Sequence, residues 1–219
     1  MMPNPNLTEI SIVMDKSGSM EPRRQDAIRG FNSFIEEQRH LAGDARVTLT
    51  LFDTTYRTLY AGKRVSKVPS LDTTTYQPGG MTALLDAVGR TIDQVGERLA
   101  RMPERERPGK VIVAILTDGL ENSSQEYSYD QVAARIRHQT DIYDWDFIFL
   151  GAGPQAWDQG AQLNITANFS LGAVGASQPR QQYNTLAAYT RARRAGGTRE
   201  QAIQNARETA GHDAWRDES

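Results

Sequence analysis

Apolar residues in this chain cluster into short, nearly continuous runs that are separated by longer segments with helical spacing. The runs lie at 10–14, 47–52, 111–116 and 147–150 and are rich in Val, Ile and Phe. Uninterrupted runs of this kind are typical of strands that are buried on both faces of a parallel sheet. Between them, apolar residues recur every three or four positions, as along 84–99, which predicts amphipathic helices.

The alternation of strands and helices predicts an α/β protein with a central, mostly parallel six-stranded sheet and helices on both faces. Residues 57–68 follow the second strand too closely for a crossover helix, so we expect them to form one antiparallel edge strand. The last strand is predicted at 165–171 and a further helix at 181–194.

The predicted domain covers residues 8–195, because the strand and helix signals end there. The tail at 196–219 has few large apolar residues. We therefore expect the tail to form a marginal helix or to be disordered.

Composition and charge exclude several classes of function. The 219 residues are 38% hydrophobic and 24% charged, which is ordinary for a globular protein. A formal net charge of −2 gives no broad positive field, so nucleic acid is not expected as a partner. The absence of cysteine excludes disulfides and thiolate metal sites. No signal peptide or membrane-spanning run is recognisable, so we expect a cytoplasmic protein that does not contact membranes.

Side chains that carry oxygen atoms follow two of the predicted strands and precede one of the predicted helices. Asp15, Ser17 and Ser19 follow the first strand, Thr82 precedes the second long helix, and Asp118 follows the third apolar run. In open α/β sheets, ligands bind outside the carboxyl ends of the strands. Hydroxyl and carboxylate oxygens are hard ligands that select Mg²⁺, Mn²⁺ or Ca²⁺ over zinc or copper, and Mg²⁺ is the ion that we expect. Gly18 is expected to let the chain turn tightly enough for both serines to face one ion.

These residues make the chain resemble a known family. DKSGS at 15–19, Thr82 in MTALL and Asp118 in LTDG are similar to the pattern of a von Willebrand factor A (VWA) domain with a complete metal-ion-dependent adhesion site. The resemblance covers roughly residues 8–171 and implies a Rossmann-like VWA fold. It also implies that Ser17, Ser19 and Thr82 supply hydroxyl ligands, while Asp15 and Asp118 mostly hold coordinated waters.

The resemblance further implies a protein-binding module and not an enzyme. A family site of this kind leaves one position on the metal open, and an Asp or Glu of a partner protein fills it. Cytoplasmic bacterial members of the family often work with AAA+ ATPases or in stress systems. A partner of that class is therefore expected, by resemblance alone.

Two other functions remain open from the sequence. The protein could be a Mg²⁺-dependent phosphohydrolase with Asp15 as nucleophile, although such enzymes usually have a second carboxylate near position 17, which is serine here. It could also be a scaffold whose interactions do not need the metal.

Structural roles are the alternatives for the individual residues. The serines and Thr82 could cap helices, and Asp118 could belong to a turn. Asp53 is predicted to be a turn residue. Glu121 and Asn122 are predicted either to line the rim of the site or simply to be exposed.

Overall fold

A computed structural model of the chain describes residues 2–152, 154–171 and 178–210. Strands and helices alternate along these residues except at one strand pair and one helix pair, and short 3₁₀ turns lie at Gly18–Arg23, Val65–Lys67 and Glu104–Glu106. In chain order the elements are β1 (Asn4–Asp15), α1 (Arg24–His40), β2 (Asp44–Phe52), β3 (Tyr56–Arg64), α2 (Leu84–Ala100), β4 (Pro108–Leu116), α3 (Tyr129–Tyr143), β5 (Asp146–Ala152), α4 (Pro154–Gln162), β6 (Ala167–Leu171), α5 (Gln178–Arg194) and α6 (Arg199–Ala210).

The strands form one six-stranded sheet in the order β3-β2-β1-β4-β5-β6. Strand β3 pairs with β2 in antiparallel fashion, and all the other pairs are parallel. The predicted α/β class, the number of strands and the antiparallel edge strand are therefore confirmed. Strand β1 lies at the centre of the sheet and is longer than its apolar run, since it begins at Asn4.

Each face of the sheet has its own core. Ile10, Ile12 and Met14 of β1 pack with side chains of α1, α5 and α6 on one face. Val13 of β1 packs with side chains of α2, α3 and α4 on the other face. Successive side chains of a strand point to opposite faces, which is why an uninterrupted apolar run is needed to fill both cores.

A local sequence signal determines the start of α3, but not that of α2. The Ser128 hydroxyl accepts a hydrogen bond from the amide of Gln131, whose side chain accepts one from the amide of Ser128. This capping box satisfies two amides that the first turn of α3 leaves free. Helix α2 begins at Leu84 with Ala83 as its N-cap residue, so Thr82 lies outside the helix. Thr82 therefore does not cap α2.

The segment predicted as a tail contains helix α6, which packs on the main core. Ala202, Ile203 and Ala206 of α6 are buried in the same cluster as α1 and α5. Arg199, at the start of α6, donates to Asp146 Oδ1 at 2.7 Å, and this contact fixes the helix to the start of β5. The boundary at residue 195 stays a prediction, and residues 211–219 lie outside the described residues.

None of the helices in the described ranges has both the length and the apolar character that crossing a bilayer requires.

Candidate metal centre

The topology of the sheet creates a crevice at the carboxyl ends of β1 and β4. From β1, the chain proceeds to β2 on one side by way of α1 and later reaches β4 on the other side by way of α2. Helices α1 and α2 lie on opposite faces, so the loops that follow β1 and β4 diverge. A sheet with this strand order binds ligands where the order reverses. Asp15 ends β1 and Thr117 follows β4 at this point.

Asp15 lies at the bottom of the crevice. Its side chain is fully buried. Oδ1 accepts a hydrogen bond from the amide of Ser17 at 2.6 Å, and Oδ2 accepts one from the hydroxyl of Thr117 at 2.6 Å. Burial raises the pKa of Asp15 from 3.8 to about 6, although these hydrogen bonds oppose the shift. The carboxylate is thus a buried acid that only neutral donors stabilise.

Three further predicted residues extend from this carboxylate toward solvent. The hydroxyl oxygens of Ser17 and Ser19 lie 3.1 Å apart. The Ser19 hydroxyl donates to Asp118 Oδ1 at 2.7 Å. Ser17 is buried, whereas Ser19 is exposed. The structure therefore brings Asp15, Ser17, Ser19 and Asp118 into one continuous polar cluster.

Thr82 faces the same space from the loop before α2. A methyl group added at Gly119 would lie 3.0 Å from Thr82 Oγ1 and 3.7 Å from Asp15 Oδ2. Both oxygens therefore lie close to Gly119. Thr82 is buried, and its amide donates to the side chain of Asn122 at 2.9 Å.

Glu121 and Asn122 hold the loops of the site in place. Asn122 is joined to Thr82 twice, since its own amide also donates to the Thr82 carbonyl at 3.1 Å. Glu121 Oε2 accepts a hydrogen bond from the amide of Leu85 at 2.9 Å, in the first turn of α2. Glu121 also accepts hydrogen bonds from the amides of Ser123 and Ser124. These contacts are internal anchors, a role that the sequence did not predict for either residue.

Asp53 is a turn residue, as predicted, and it also binds the lysine of the DKSGS motif. Its Oδ1 accepts hydrogen bonds from the amide and hydroxyl of Thr55 at 2.6 and 2.7 Å. Its Oδ2 forms an ion pair with Lys16. Lys16 follows Asp15 in the sequence, but its ammonium group therefore pairs with Asp53 and not with Asp15.

Gly18 does not have the conformational role that we expected. Its φ angle is not in the left-handed region, and a methyl group there would meet only the Gly80 carbonyl, at 3.5 Å. The glycine that the turn requires is Gly80, with φ of 71°, because a methyl group there would lie 2.8 Å from Thr54 Oγ1. Gly80 accepts the hydrogen bond that Gly18 donates, so the two loops meet at this contact.

Arg23 is a residue of the site that the sequence did not reveal. It ends the 3₁₀ turn after the DKSGS motif, and its Nη1 donates to Asp118 Oδ2 at 2.5 Å. The same nitrogen donates to the Ser19 carbonyl at 3.2 Å. Its side chain is 26% exposed, whereas that of Asp118 is 4% exposed. Arg23 thus covers Asp118 from the solvent side.

The donor set fits a hard divalent cation. It combines two carboxylates with three hydroxyls, and such oxygen ligands suit Mg²⁺, Mn²⁺ and Ca²⁺. Within the described ranges, Asp15 has no hydrogen bond or ion pair with an Arg or Lys side chain, so its buried charge lacks a cationic partner. No group of three or more His, Cys, Asp or Glu among those residues could hold a metal. Binding here would therefore depend on the hydroxyls.

The sequence profile of the von Willebrand factor type A domain matches residues 9–143, which is more than half of the chain. The chain belongs to the VWA domain family. VWA domains are generally interaction modules and not enzymes. No curated protein sequence is significantly similar to this chain.

Solved structures share the VWA fold at low sequence identity. A von Willebrand factor type A protein from Catenulispora acidiphila is 17% identical, with a TM-score of 0.57, over 86% of this chain and 43% of that one. Proximal thread matrix protein 1 from the mussel byssus, with a zinc-occupied MIDAS motif, is 13% identical, with a TM-score of 0.57, over 86% and 49%. The ArnB paralog VWA2 from Sulfolobus acidocaldarius is 16% identical, with a TM-score of 0.51, over 84% and 45%. This chain thus spans less than half the length of each.

Proposed function

We propose that this VWA domain is a metal-dependent protein-binding module. Five residues hold a divalent cation at the switch point of the sheet, namely Asp15, Ser17, Ser19, Thr82 and Asp118. An Asp or Glu side chain of a partner protein completes the coordination. The observation that carries the proposal is the burial of Asp15 without a cationic partner, while the amide of Ser17 donates to it at 2.6 Å and the hydroxyls of Ser17 and Ser19 lie 3.1 Å apart. A buried charge normally has such a partner.

The residues have different tasks in this proposal. The hydroxyls of Ser17, Ser19 and Thr82 are the direct ligands. Asp15 and Asp118 supply negative charge and hold coordinated waters. When bound, the cation supplies a strong local positive charge that attracts a carboxylate at a partly desolvated site.

Mg²⁺ is the ion that we expect, because oxygen ligands and retained waters suit it. Mn²⁺ and Ca²⁺ are the alternatives from ligand chemistry. The zinc in the MIDAS motif of the mussel protein shows that zinc also belongs among the ions to be tested.

The rim of the site supports a protein as the ligand. Met81 and Leu120, which adjoin Thr82 and Gly119 in the sequence, are 52% and 48% exposed. Large apolar side chains that are exposed around a polar site are typical of surfaces that bind another protein. We therefore infer that the partner places apolar residues next to its acidic residue.

The geometry of Asp15 argues against the phosphohydrolase. A nucleophilic carboxylate needs one oxygen that can reach the substrate. Both oxygens of Asp15 accept hydrogen bonds, and the side chain is fully buried. The scaffold alternative differs from our proposal in one measurable respect, since its interactions would survive removal of the metal.

Calorimetric titration with Mg²⁺, Mn²⁺, Ca²⁺ and Zn²⁺ tests the metal site. We expect one saturable site in the wild type, and loss of binding in the double variant Asp15→Asn with Ser17→Ala. The matched control combines Asp141→Asn with Ser66→Ala, because both residues are exposed. Equal binding by the wild type and the site variant would refute the proposed ligands.

The partner is tested by affinity capture in Mg²⁺ or in EDTA. Proteins that bind only in Mg²⁺ should lose binding when Met81 and Leu120 are both replaced by Ser, while the metal affinity stays unchanged. Capture that is equally strong in EDTA would favour the scaffold. An AAA+ ATPase or a stress-system protein as the partner, a bacterial source and a cytoplasmic location all stay predictions.

A further inference from the structure

We propose that Arg23 is a recognition residue of this site, and that it donates hydrogen bonds to the carboxylate that the partner brings to the metal. The inference rests on the proposed function. In this inference the metal binds one oxygen of the partner's carboxylate and Arg23 binds the other oxygen.

The donors of Arg23 are only partly used within the protein. Nη1 binds Asp118 Oδ2 and the Ser19 carbonyl. Across the described residues, Nε and Nη2 make no hydrogen bond. A guanidinium has five N–H donors in a planar fork, so those of Nε and Nη2 remain available to a ligand.

The direction of approach places a ligand beside these donors. Asp15 and Ser17 are buried, whereas Ser19 is exposed. An anion from solvent therefore approaches from the side of Ser19, which is where Arg23 covers Asp118. A carboxylate that gives one oxygen to a metal keeps a second oxygen, and charge-assisted hydrogen bonds from arginine suit that oxygen.

The charge of Arg23 has opposite consequences for the cation and for the anion. Its guanidinium repels a divalent cation in the same crevice and offsets part of the charge of Asp118. Replacing Arg23 with a neutral residue should therefore tighten metal binding and weaken carboxylate binding. A residue that merely held the loop in place would weaken both.

The experiment measures both affinities in Arg23→Gln and Arg23→Lys. Mn²⁺ binding is measured by calorimetry, and acetate binding to the Mn²⁺-loaded protein by the paramagnetic relaxation of acetate nuclei, with acetamide as the neutral probe. In Arg23→Gln we expect Mn²⁺ to bind about threefold more tightly and acetate about fivefold more weakly. Arg23→Lys should regain part of the acetate affinity. Arg29→Gln removes the same charge from an arginine of α1 that is 68% exposed, and should change neither affinity.

The possible failures are distinguishable. Unchanged acetate affinity in Arg23→Gln, or parallel weakening of Mn²⁺ and acetate, overturns the role of Arg23 and leaves the metal site intact. Acetamide binding as tight as acetate overturns it as well. If the wild type has no saturable Mn²⁺ site, the proposed function fails, and this inference fails with it.

Discussion

Asp15 and Asp146 are both buried aspartates at strand ends, but their surroundings differ. Asp146 begins β5, and its two oxygens accept hydrogen bonds from Arg193 at 2.5 Å and Arg199 at 2.7 Å. Asp15 ends β1 at the opposite edge of the sheet, and the amide of Ser17 and the hydroxyl of Thr117 are its donors. One carboxylate is neutralised by two arginines, and the other receives only neutral donors.

This difference separates a structural carboxylate from a candidate binding carboxylate. A buried charge is costly unless an opposite charge compensates it. The protein supplies that compensation at Asp146, and also at Glu9 of β1, which pairs with Arg98 of α2 at 2.7 Å. At Asp15 the compensation has to come from outside the chain, and a divalent cation can provide it.

The largest difference in the free energy of unfolding is expected between Asp146→Asn and Asp15→Asn. Asp146→Asn removes the buried partner of two arginines and leaves them only the exposed Asp144. It should lower the free energy of unfolding by roughly 3 kcal/mol. Asp15→Asn in EDTA should change it by less than about 1 kcal/mol. The new amide can donate to Thr117, whose hydroxyl can then donate to the Gly119 carbonyl, 3.0 Å away.

Urea unfolding of both variants in EDTA measures this difference. If Asp15→Asn lowered the free energy of unfolding as much as Asp146→Asn does, Asp15 would be a structural residue, and the two ends of the sheet would not differ in this respect. Asp141→Asn is the exposed control and should behave like the wild type.

The two variants should also differ in how much Mg²⁺ raises their free energy of unfolding. Mg²⁺ at a hundred times its dissociation constant should stabilise the wild type by about 2.7 kcal/mol, because it binds only the folded state. Asp146→Asn should keep this increment, and Asp15→Asn should lose it. Urea unfolding with and without Mg²⁺ gives the increments directly. An equal increment in both variants would place the ion elsewhere.

The contrast also shows what the sequence could predict. The strands and the polar residues at their ends follow local patterns, so the fold and the five residues of the proposed site were available from sequence. Arg23 was missed because its partner Asp118 is 95 positions away. The anchoring roles of Asn122 and Glu121 were missed for the same reason, since their contacts join the loop after β4 to the loop before α2 and to its first turn. Side-chain contacts between distant loops depend on the completed fold.

A smaller effect is expected from two matched glycine substitutions. In Gly119→Ala, the new methyl group would lie 3.0 Å from Thr82 Oγ1, which is closer than most such contacts. It should therefore weaken Mg²⁺ about fivefold, equivalent to about 1 kcal/mol. Gly18→Ala lies in the motif itself but meets only the Gly80 carbonyl at 3.5 Å, so Mg²⁺ affinity should stay the same. Calorimetry on the two variants checks this, and the reverse order of effects would contradict the geometry.

The smallest effect concerns pH and Asp53, a carboxylate that, unlike Asp15, has a cationic partner in Lys16. Burial raises the pKa of Asp53, but hydrogen bonds from Lys16 and Thr55 outweigh it and hold the pKa below its ordinary value of 3.8. A lowered pKa contributes stability that is present above pH 3.8 and is lost as the pH falls through the folded-state pKa. Asp53→Asn should therefore cost about 1 kcal/mol or less at pH 7 and progressively less below pH 3.8. Urea unfolding across this range measures the difference, and a deficit that grows on acidification would show that the Lys16 ion pair does not stabilise the fold.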